Sequence, residues 1–458
     1  MTGAANVDVD VVVVGAGAGG LAAALAVADQ GKSVVVLEKL ERVGGNSALS
    51  TGSIPAAGSR LQVEAGVKDS PEQMSADLLA QSGPHEAEHL TRVLSAESGP
   101  LVDWLVDTHH IDLRLIKDYK HVGHSVHRLH APPSRRGVDL MRDLVKACDL
   151  AGIDILVSNP VKELITEDGS IVGVVVGGDR LESYEIRCNS VILASNGFAA
   201  NKDLVDEWLP AVSGVEYFGA HGSTGEALQW GLEQGGYLQN IGAYQGYAAV
   251  AYPHGSILSW TTIEMGAVVV TERGARVGDE SIGYSGFAQA VADSGLTCFV
   301  VFDARIRDHA AKEEEFAELI DAGGVREFDL MAELVAFIGA DEADISRTLD
   351  SYANAARGES EDAFGRKSFG MAPLTFPLCA SRITPGIFHT QGGLAVDDHG
   401  QVLRSDGSAV AGLFAVGGVA AGISGQTGGR GYSSGNGLLT AAGLGRLAGI
   451  AASRTASG

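Results

Sequence analysis

The stretch that decides the fold is Val9-Asp-Val-Val-Val-Val14, which runs into Gly15-Ala-Gly17-Ala18-Gly19-Gly20, an Ala-rich segment from Leu21 to Gln30, Gly31, Val34-Val-Val-Leu37 and then Glu38. A β-branched run of this kind reads as a strand buried on both faces, and the Ala-rich segment as a helix that Gly31 ends. The order strand, glycine turn, helix, strand, acid is a βαβ unit with GxGxxG at its first turn. Glycines there let the backbone approach a pyrophosphate, whose charge rests at the helix N-terminus. Glu38 stands where an acid accepts a ribose hydroxyl. A bare GxGxxG arises by chance, but with both strands, the helix and the acid in place it marks a dinucleotide site.

The residues that follow select the dinucleotide. Arg42-Val-Gly44-Gly45-Asn46-Ser47 comes directly after the acidic strand end. A nicotinamide enzyme has no general need for a second glycine turn here. An extended FAD does, because the chain must fold back along its pyrophosphate and ribityl. The segment Gly45 to Gly58 holds no His or Cys to attach to the isoalloxazine, so FAD is expected to be held without a covalent bond.

At 458 residues the chain exceeds one ordinary domain, and its 45% hydrophobic content supplies an ample core. No apolar run reaches the roughly 18 residues of a membrane-spanning helix, and no basic-then-apolar leader opens the chain. The first seven residues read as a loose tail and the location as cytoplasmic. Cys148, Cys188, Cys298 and Cys379 are isolated, which argues for reduced thiols and against disulfides, iron–sulfur clusters, zinc or c-type haem. A formal charge of −24 argues against nucleic acid or an anionic membrane as partner.

Along the chain, Ser70 to Ser82 and His85 to Thr108 have helical spacing, with Ser70-Pro71 as N-cap and N1. From Asp118 to Arg136, His121, His124, His127 and His130 recur at every third position among Arg128, Arg135 and Arg136. A loop interrupted by Pro132-Pro133 does not hold helical spacing and carboxylates are sparse, so no metal site is expected. The segment reads as a polar loop, with an active-site-facing loop as the alternative. A helix over Gly137 to Leu150, a hairpin about Glu167-Asp-Gly169 and an apolar strand Val191 to Ala194 follow. From Tyr244 the character changes to aromatic-rich loops, strands at Ala267 to Thr271 and Thr297 to Phe302, and charged helices over Asp308 to Ile338 and Glu342 to Arg357. The expected fold class is α/β: a Rossmann-like FAD-binding domain of glutathione reductase type with an inserted α+β capping or substrate domain. The boundaries are 1–243 and 372–458 for the FAD-binding domain and 244–371 for the insert. A hairpin about Asp397 to Gly400 and a final helix Gly437 to Ala452 close the chain.

The segments VVVVGAGAGGLAAALA, VLEKLERVGGNS, VILASNGF, GSTGEAL, RVGDE, HTQGGL and GLFAVGG, in this order along nearly the whole chain, resemble the fumarate reductase/succinate dehydrogenase flavoprotein family. The resemblance implies a flavin domain, a mobile cap and hydride transfer between a substrate carbon and the flavin where the two meet. It also implies a cofactor cradle of Gly15, Gly17, Ala18, Gly19, Gly20, Glu38, Lys39, Gly44, Gly45, Asn46, Ser47, Val161, Ala194, Ser195, Gly197, Gly417, Gly418, Asn436 and Leu438. In that family an acid usually contacts the ribityl where Gly418 stands here.

Two departures discriminate within the family. The reductases carry a proton-delivering Arg four residues after the acidic pair and a carboxylate-gripping Arg four residues before the Asn of the C-terminal GN motif. Those positions hold Tyr284 and Tyr432 here. The ketosteroid dehydrogenase-like, ketone-desaturating branch is similar at both, with a capping-domain Tyr and a loop of the form Gly431-Tyr432-Ser433-Ser434-Gly435. Desaturating a ketone needs a donor on the carbonyl, a base for the α-proton and a hydride acceptor for the β-hydrogen. Tyr284 is the candidate base and Tyr432, helped around Ser434 and Gly435, the candidate carbonyl clamp, though the two roles could be exchanged. The plainer reading of each Tyr is core packing with a satisfied hydroxyl. His389 in the HTQGGL turn and Arg430 are candidates for holding a substrate carboxylate; a surface Arg or a pyrophosphate contact is the alternative for Arg430. Tyr244, Tyr247, Tyr252 and Trp260 could line a pocket.

The expected function is an FAD-dependent desaturase that introduces a C=C next to a ketone in a cyclic substrate, a keto-acid such as 4-oxocyclohexanecarboxylate or a 3-ketosteroid, with oxygen or another compound as electron acceptor. The nearest rival is a soluble enoate reductase. An electron-transfer flavoprotein and an NAD-dependent dehydrogenase are the others.

Overall fold

The computed structural model describes residues 8–117, 120–178 and 181–455. The tail over the first seven residues, and Asp118 at the head of the histidine-bearing loop, lie outside the described residues. By their contacts the residues form two units. One comprises Met1–Pro210, Gly219–Tyr244 and His389–Gly458, the other Ala211–Phe218 and Gln245–Phe388.

The first unit is built on a sheet in which Val9–Val14 lies between Val34–Leu37 and Leu181–Leu193, parallel to both. Ala409–Ala415 continues the parallel order on one side and Asp154–Leu156 on the other. Val11, Val12 and Val13 are completely buried, which is why this strand carries no polar alternation. The helix Ala18–Asp29 is buried from Ala18 through Val27, on all its faces. It packs on the C-terminal helix Asn436–Thr455 backbone to backbone: a β-carbon on Gly445 would meet the Gly19 carbonyl oxygen at 2.4 Å, and one on Gly449 the Ala23 oxygen at 2.4 Å. Small residues at these crossings are therefore obligatory.

The second unit is a sheet covered on both faces. Val268–Thr271 pairs antiparallel with Cys298–Asp303, which pairs antiparallel with Leu378–Thr390, and Gly242–Ala251 lies beyond. Cys298, Val300 and Phe302 point into one core with Trp260, Phe287 and Phe316, while Phe299 and Val301 point into another with Leu334, Ile345 and Tyr352. Strict alternation between two apolar cores explains the unbroken hydrophobic strand.

Several sequence expectations differ from the structure. The segment after Tyr244, expected as aromatic loops, continues a strand, Gly242–Ala251, because almost all its side chains are buried. The charged segment expected as one helix breaks into Ala304–Ala310, Glu314–Asp321, a strand Arg326–Phe328 and Met331–Ile338. Gly323 at positive φ makes one of the breaks. The second unit extends to Phe388, beyond residue 371, because Leu378–Thr390 is one long strand of its sheet. The histidine-bearing loop contains a short strand, Leu129–Ala131, paired with Ile54–Pro55 and Arg114–Leu115. No helix among the described residues is long and apolar enough to cross a membrane.

Two stability predictions follow from this packing. Gly445→Ala should gain the helix propensity of Ala yet lose more to overpacking against Gly19, a net loss of roughly 1–2 kcal/mol read as a lower urea midpoint. A midpoint at or above that of the parent would show that these helices do not touch backbone to backbone. His130 is fully buried with Nε2 2.8 Å from Ser59 Oγ, and burial pushes it down to about 4. In the unfolded chain it titrates near ~6.5, so the folded protein binds fewer protons between those values and stability falls as pH drops through that window. His130→Gln should flatten the fall of the thermal midpoint between neutral pH and about pH 5; parallel curves would mean that His130 is protonated in the fold.

Candidate active site

The glycine turn presents an uncapped helix end. No side chain caps Gly17, and the Ala18 N–H donates to Ser47 Oγ at 3.1 Å. Glu38 accepts from the Ala16 N–H at 2.9 Å through Oε2 and from the Leu40 N–H at 2.9 Å through Oε1, so its carboxylate is fixed beside the turn. Gly44, at positive φ, donates its N–H to the Ala16 carbonyl, and Asn46 accepts from the Ala220 N–H at 2.6 Å. Lys39 donates to Thr224 and Glu226 at 2.6 and 2.8 Å, tying the Gly222–Glu226 turn to the acidic strand end. Among the described residues, Ser433 Oγ, Asn436 Oδ1 and Thr440 Oγ1 are buried without a hydrogen-bond partner. Buried orphans and an uncapped helix end are what a polar, anionic cofactor satisfies. The residues present fit FAD.

Of the other residues nominated for the cofactor, Ala194 donates its N–H to the Val14 carbonyl, and a β-carbon on Gly15 would lie 2.5 Å from the Ala194 oxygen. Ser195 is half-buried, Val161 half-buried at the head of a strand, and Leu438 buried in the first turn of the last helix. Gly197 packs against Thr390 and Gly418. A side chain at Gly418 would meet Asn196 Oδ1 at 2.4 Å, so the acid usual at that position has no room, while Gly417 takes positive φ.

Tyr432 and His389 converge on the start of the C-terminal helix. A β-carbon on Gly437 would sit 2.9 Å from His389 Nε2 and 3.6 Å from Tyr432 Oη. The Gly437 N–H beside the Tyr432 hydroxyl lowers it, yet burial dominates and pushes that hydroxyl well above the usual tyrosine range. It stays protonated and able to donate. The His389 and Tyr432 rings meet edge to face at 5.8 Å. Burial pushes His389 down to about 4, so the ring is neutral, and its Nδ1 lies 3.0 Å from the Thr390 carbonyl oxygen. The Gln391 amide lies 2.8 Å from the same nitrogen, accepts from Ser424 Oγ at 2.6 Å, and Asn436 donates to that oxygen at 3.2 Å. Gln391 and Ser424 were not nominated from sequence. Gln391 lies inside a quoted motif, whereas nothing in the glycine-dense loop distinguishes Ser424. Gly437 acts through its backbone, which leaves no sequence signature.

Ser434 is buried and held by its backbone, and Gly435 takes positive φ with Pro55 closely packed against it. Arg430 is exposed. Its carbonyl accepts from Gln81 at 2.7 Å, and among the described residues no hydrogen bond or ring contact joins its side chain to His389 or Tyr432.

Tyr284 belongs to the second unit, at the start of the helix Tyr284–Asp293 and directly after Gly283 at φ +92°. Its half-buried ring lies 5.1 Å from Tyr247 and 6.2 Å from Trp260, and Tyr247 stacks on Phe388 at 5.4 Å. The preceding turn is anchored by Glu280, fully buried and paired with Arg276 at 2.6 Å and Arg366 at 3.3 Å. Arg276 also pairs with Asp362 at 2.5 Å, so these buried charges are mutually compensated. Of the nominated aromatics, Tyr247 and Trp260 join Tyr284. Tyr252 is exposed under the Arg382 guanidinium, and Tyr244 is buried in the first unit.

Among proteins of known identity, the FAD binding domain family matches residues 10–438. The NADH:fumarate oxidoreductase of Klebsiella pneumoniae (strain 342) is 30% identical over 95% of this chain and 47% of its own length, so the chain spans about half of that relative. The 4-oxocyclohex-2-ene-1-carboxylate 5-dehydrogenase of Sinomonas cyclohexanicum is 27% identical over 88% of this chain and 87% of its own. The open conformation of a flavocytochrome c3 fumarate reductase superposes with a TM-score of 0.82 at 28% identity, covering 99% of this chain and 79% of that one. The 3-ketosteroid-Δ4-(5α)-dehydrogenase from Rhodococcus jostii RHA1, in complex with 4-androstene-3,17-dione, does so at 0.77 and 25%, covering 99% and 98%. With the glycine turn, the acid and the buried polar cradle all in place, the chain belongs to the FAD binding domain family, as an FAD-dependent oxidoreductase related to both fumarate reductases and ketone dehydrogenases.

Proposed function

We propose that the protein desaturates a cyclic ketone at the bond next to its carbonyl. The observation that carries the reading is the buried, proton-retaining Tyr432 hydroxyl beside the Gly437 N–H at a helix N-terminus. Two neutral donors and the positive end of a helix suit a carbonyl oxygen that gains enolate character. They do not supply the cation that a carboxylate would want. His389 is neutral as well. Tyr284, in its aromatic surround, is the proposed base for the α-proton. FAD, when bound, would supply the acceptor for the β-hydrogen as hydride, with oxygen or another compound taking the two electrons in turn. The resemblance to dehydrogenases of an oxocyclohexene carboxylate and of a ketosteroid supports a ring ketone as substrate class. We assign the smaller keto-acid first, with Arg430 for its carboxylate; His389 lies at the carbonyl end, beside Tyr432 and Gly437.

A second reading, reduction of an activated alkene, is favoured by the 30% identity to a fumarate oxidoreductase. Tyrosines at 284 and 432, where the reductases of this family carry arginines, count against it.

The test is anaerobic mixing with 4-oxocyclohexanecarboxylate or a 3-ketosteroid while the visible flavin absorbance is followed. Bleaching by a ring ketone is expected. Tyr432→Phe should slow it about 10²–10³-fold, the worth of one oxyanion donor, and Tyr284→Phe about 10²–10⁴-fold. Arg430→Ala should raise KM for the keto-acid alone and leave an uncharged ring ketone untouched. If no ketone bleaches the flavin, while an enoate reoxidises the chemically reduced protein, the direction proposed here is wrong.

A further inference from the structure

The histidine-bearing strap is the one sequence feature that the proposed function leaves unused. Its residues 121–128 run beside the turn Gly431–Gly435 within the first unit. His124 Nε2–H donates to the Ser434 carbonyl at 2.8 Å, and the Ser434 N–H donates to the Val122 carbonyl at 3.0 Å. Residue 434 is thus gripped through both its backbone groups, as in one rung of a sheet. The approach is close: a β-carbon on Gly123 would fall 2.0 Å from Ser433 Oγ, and Gly123 takes φ +83°.

The strap itself cannot drift. Arg128, with a fully buried side chain, donates to Asp69 at 2.7 and 2.8 Å and to Asp77 at 2.5 Å. Ser125 reaches the same Asp77 carboxylate through its N–H at 2.9 Å and its hydroxyl at 2.5 Å, and Gln62 holds the His127 carbonyl at 2.8 Å. Breaking a buried, compensated ion group leaves an unpaired charge, so this end of the strap is rigid. On its other sides the turn packs on the Ser424 carbonyl oxygen, 2.4 Å from where a Gly431 β-carbon would stand, and on Pro55 at Gly435.

We propose that His124 is a positioning residue for Tyr432, holding the turn Gly431–Gly435 from the strap so that the tyrosine hydroxyl stays beside Gly437. The proposal rests on Tyr432 being the donor to the ketone. His124 touches no reacting atom. It acts through the Ser434 backbone, and any donor of equal reach would serve.

The experiment compares the FAD-loaded parent with His124→Phe, which keeps the volume and removes the donor, and His124→Gln, whose amide N–H can replace Nε2–H. His130→Gln, at a buried histidine bonded to Ser59 and not to the turn, is the control. Amide hydrogen exchange of residues 431–436 and turnover of a ring ketone are read on each. In His124→Phe, exchange of the turn should rise about tenfold or more while the rest of the unit is unchanged. Its kcat should fall about 10- to 100-fold with KM within about threefold, as for a misplaced catalytic group. His124→Gln should restore both readouts and His130→Gln should leave both at the parental level. If His124→Phe does not fold, His124→Asn, one methylene too short to reach Ser434, takes its place with the same expectation. Unchanged exchange in the turn, or a loosened turn with full turnover, overturns the proposal. If the parent bleaches with no ketone, the role given to Tyr432 fails, and the exchange measurement alone decides whether His124 holds the turn.

Discussion

The structure of the first unit depends on one contact, the crossing of the helix Ala18–Asp29 over the helix Asn436–Thr455 with no side chains between them. Glycines at 19, 445 and 449 allow carbonyl oxygens of one helix to lie where β-carbons of the other would be. Such an approach gives dense packing, and any substitution there is felt because protein interiors have no slack. Its consequence is positional. The first helix is fixed by the glycine turn that receives the dinucleotide, and the last helix carries Gly437 and Asn436 on its first turn. Chain ends far apart in sequence are thereby held in one rigid frame.

In that frame the groups beside the start of the last helix are neutral. Burial raises the cost of ionising Tyr432 and of protonating His389, so both remain uncharged over the ordinary pH range. A neutral donor in a dry site still stabilises developing negative charge, because its dipole is oriented before the reaction and no water reorganises. The Gln391–Ser424–Asn436 chain continues this logic, satisfying polar groups by one another instead of by charge.

Much of this was legible in the sequence, for particular reasons. Val9–Glu38 declares itself because strand, turn and helix each obey a local rule, and the rules agree. Tyr432 and His389 could be nominated because each lies inside a motif of fixed order. The strand Gly242–Ala251 was missed because Gly-Ala-Tyr-Gln-Gly-Tyr follows no twofold alternation when both faces are buried. Leu378–Thr390 was hidden by Pro385 in its interior, a residue that normally argues against a strand. His124 was visible as a residue, while its contact was illegible. Its partner is a backbone carbonyl more than three hundred residues away, and backbone groups leave no trace in a sequence. The exposure of Arg430 agrees with the surface alternative that the sequence left open.

The two tyrosines are best understood together. A reductase that binds a dicarboxylate needs cations, and a cation near the reacting carbons also serves as the proton source. Replacing only one of the two arginines would leave a site with a charge and no counterpart for it. Here both positions are tyrosine, and two arginines of the unit that holds Tyr284, Arg276 and Arg366, are committed to Glu280 and Asp362. Their charge is compensated inside the second unit, which leaves aromatic rings about Tyr284. On the reading proposed above, a ring carbonyl is the substrate feature that the Tyr432 hydroxyl and the Gly437 N–H would match.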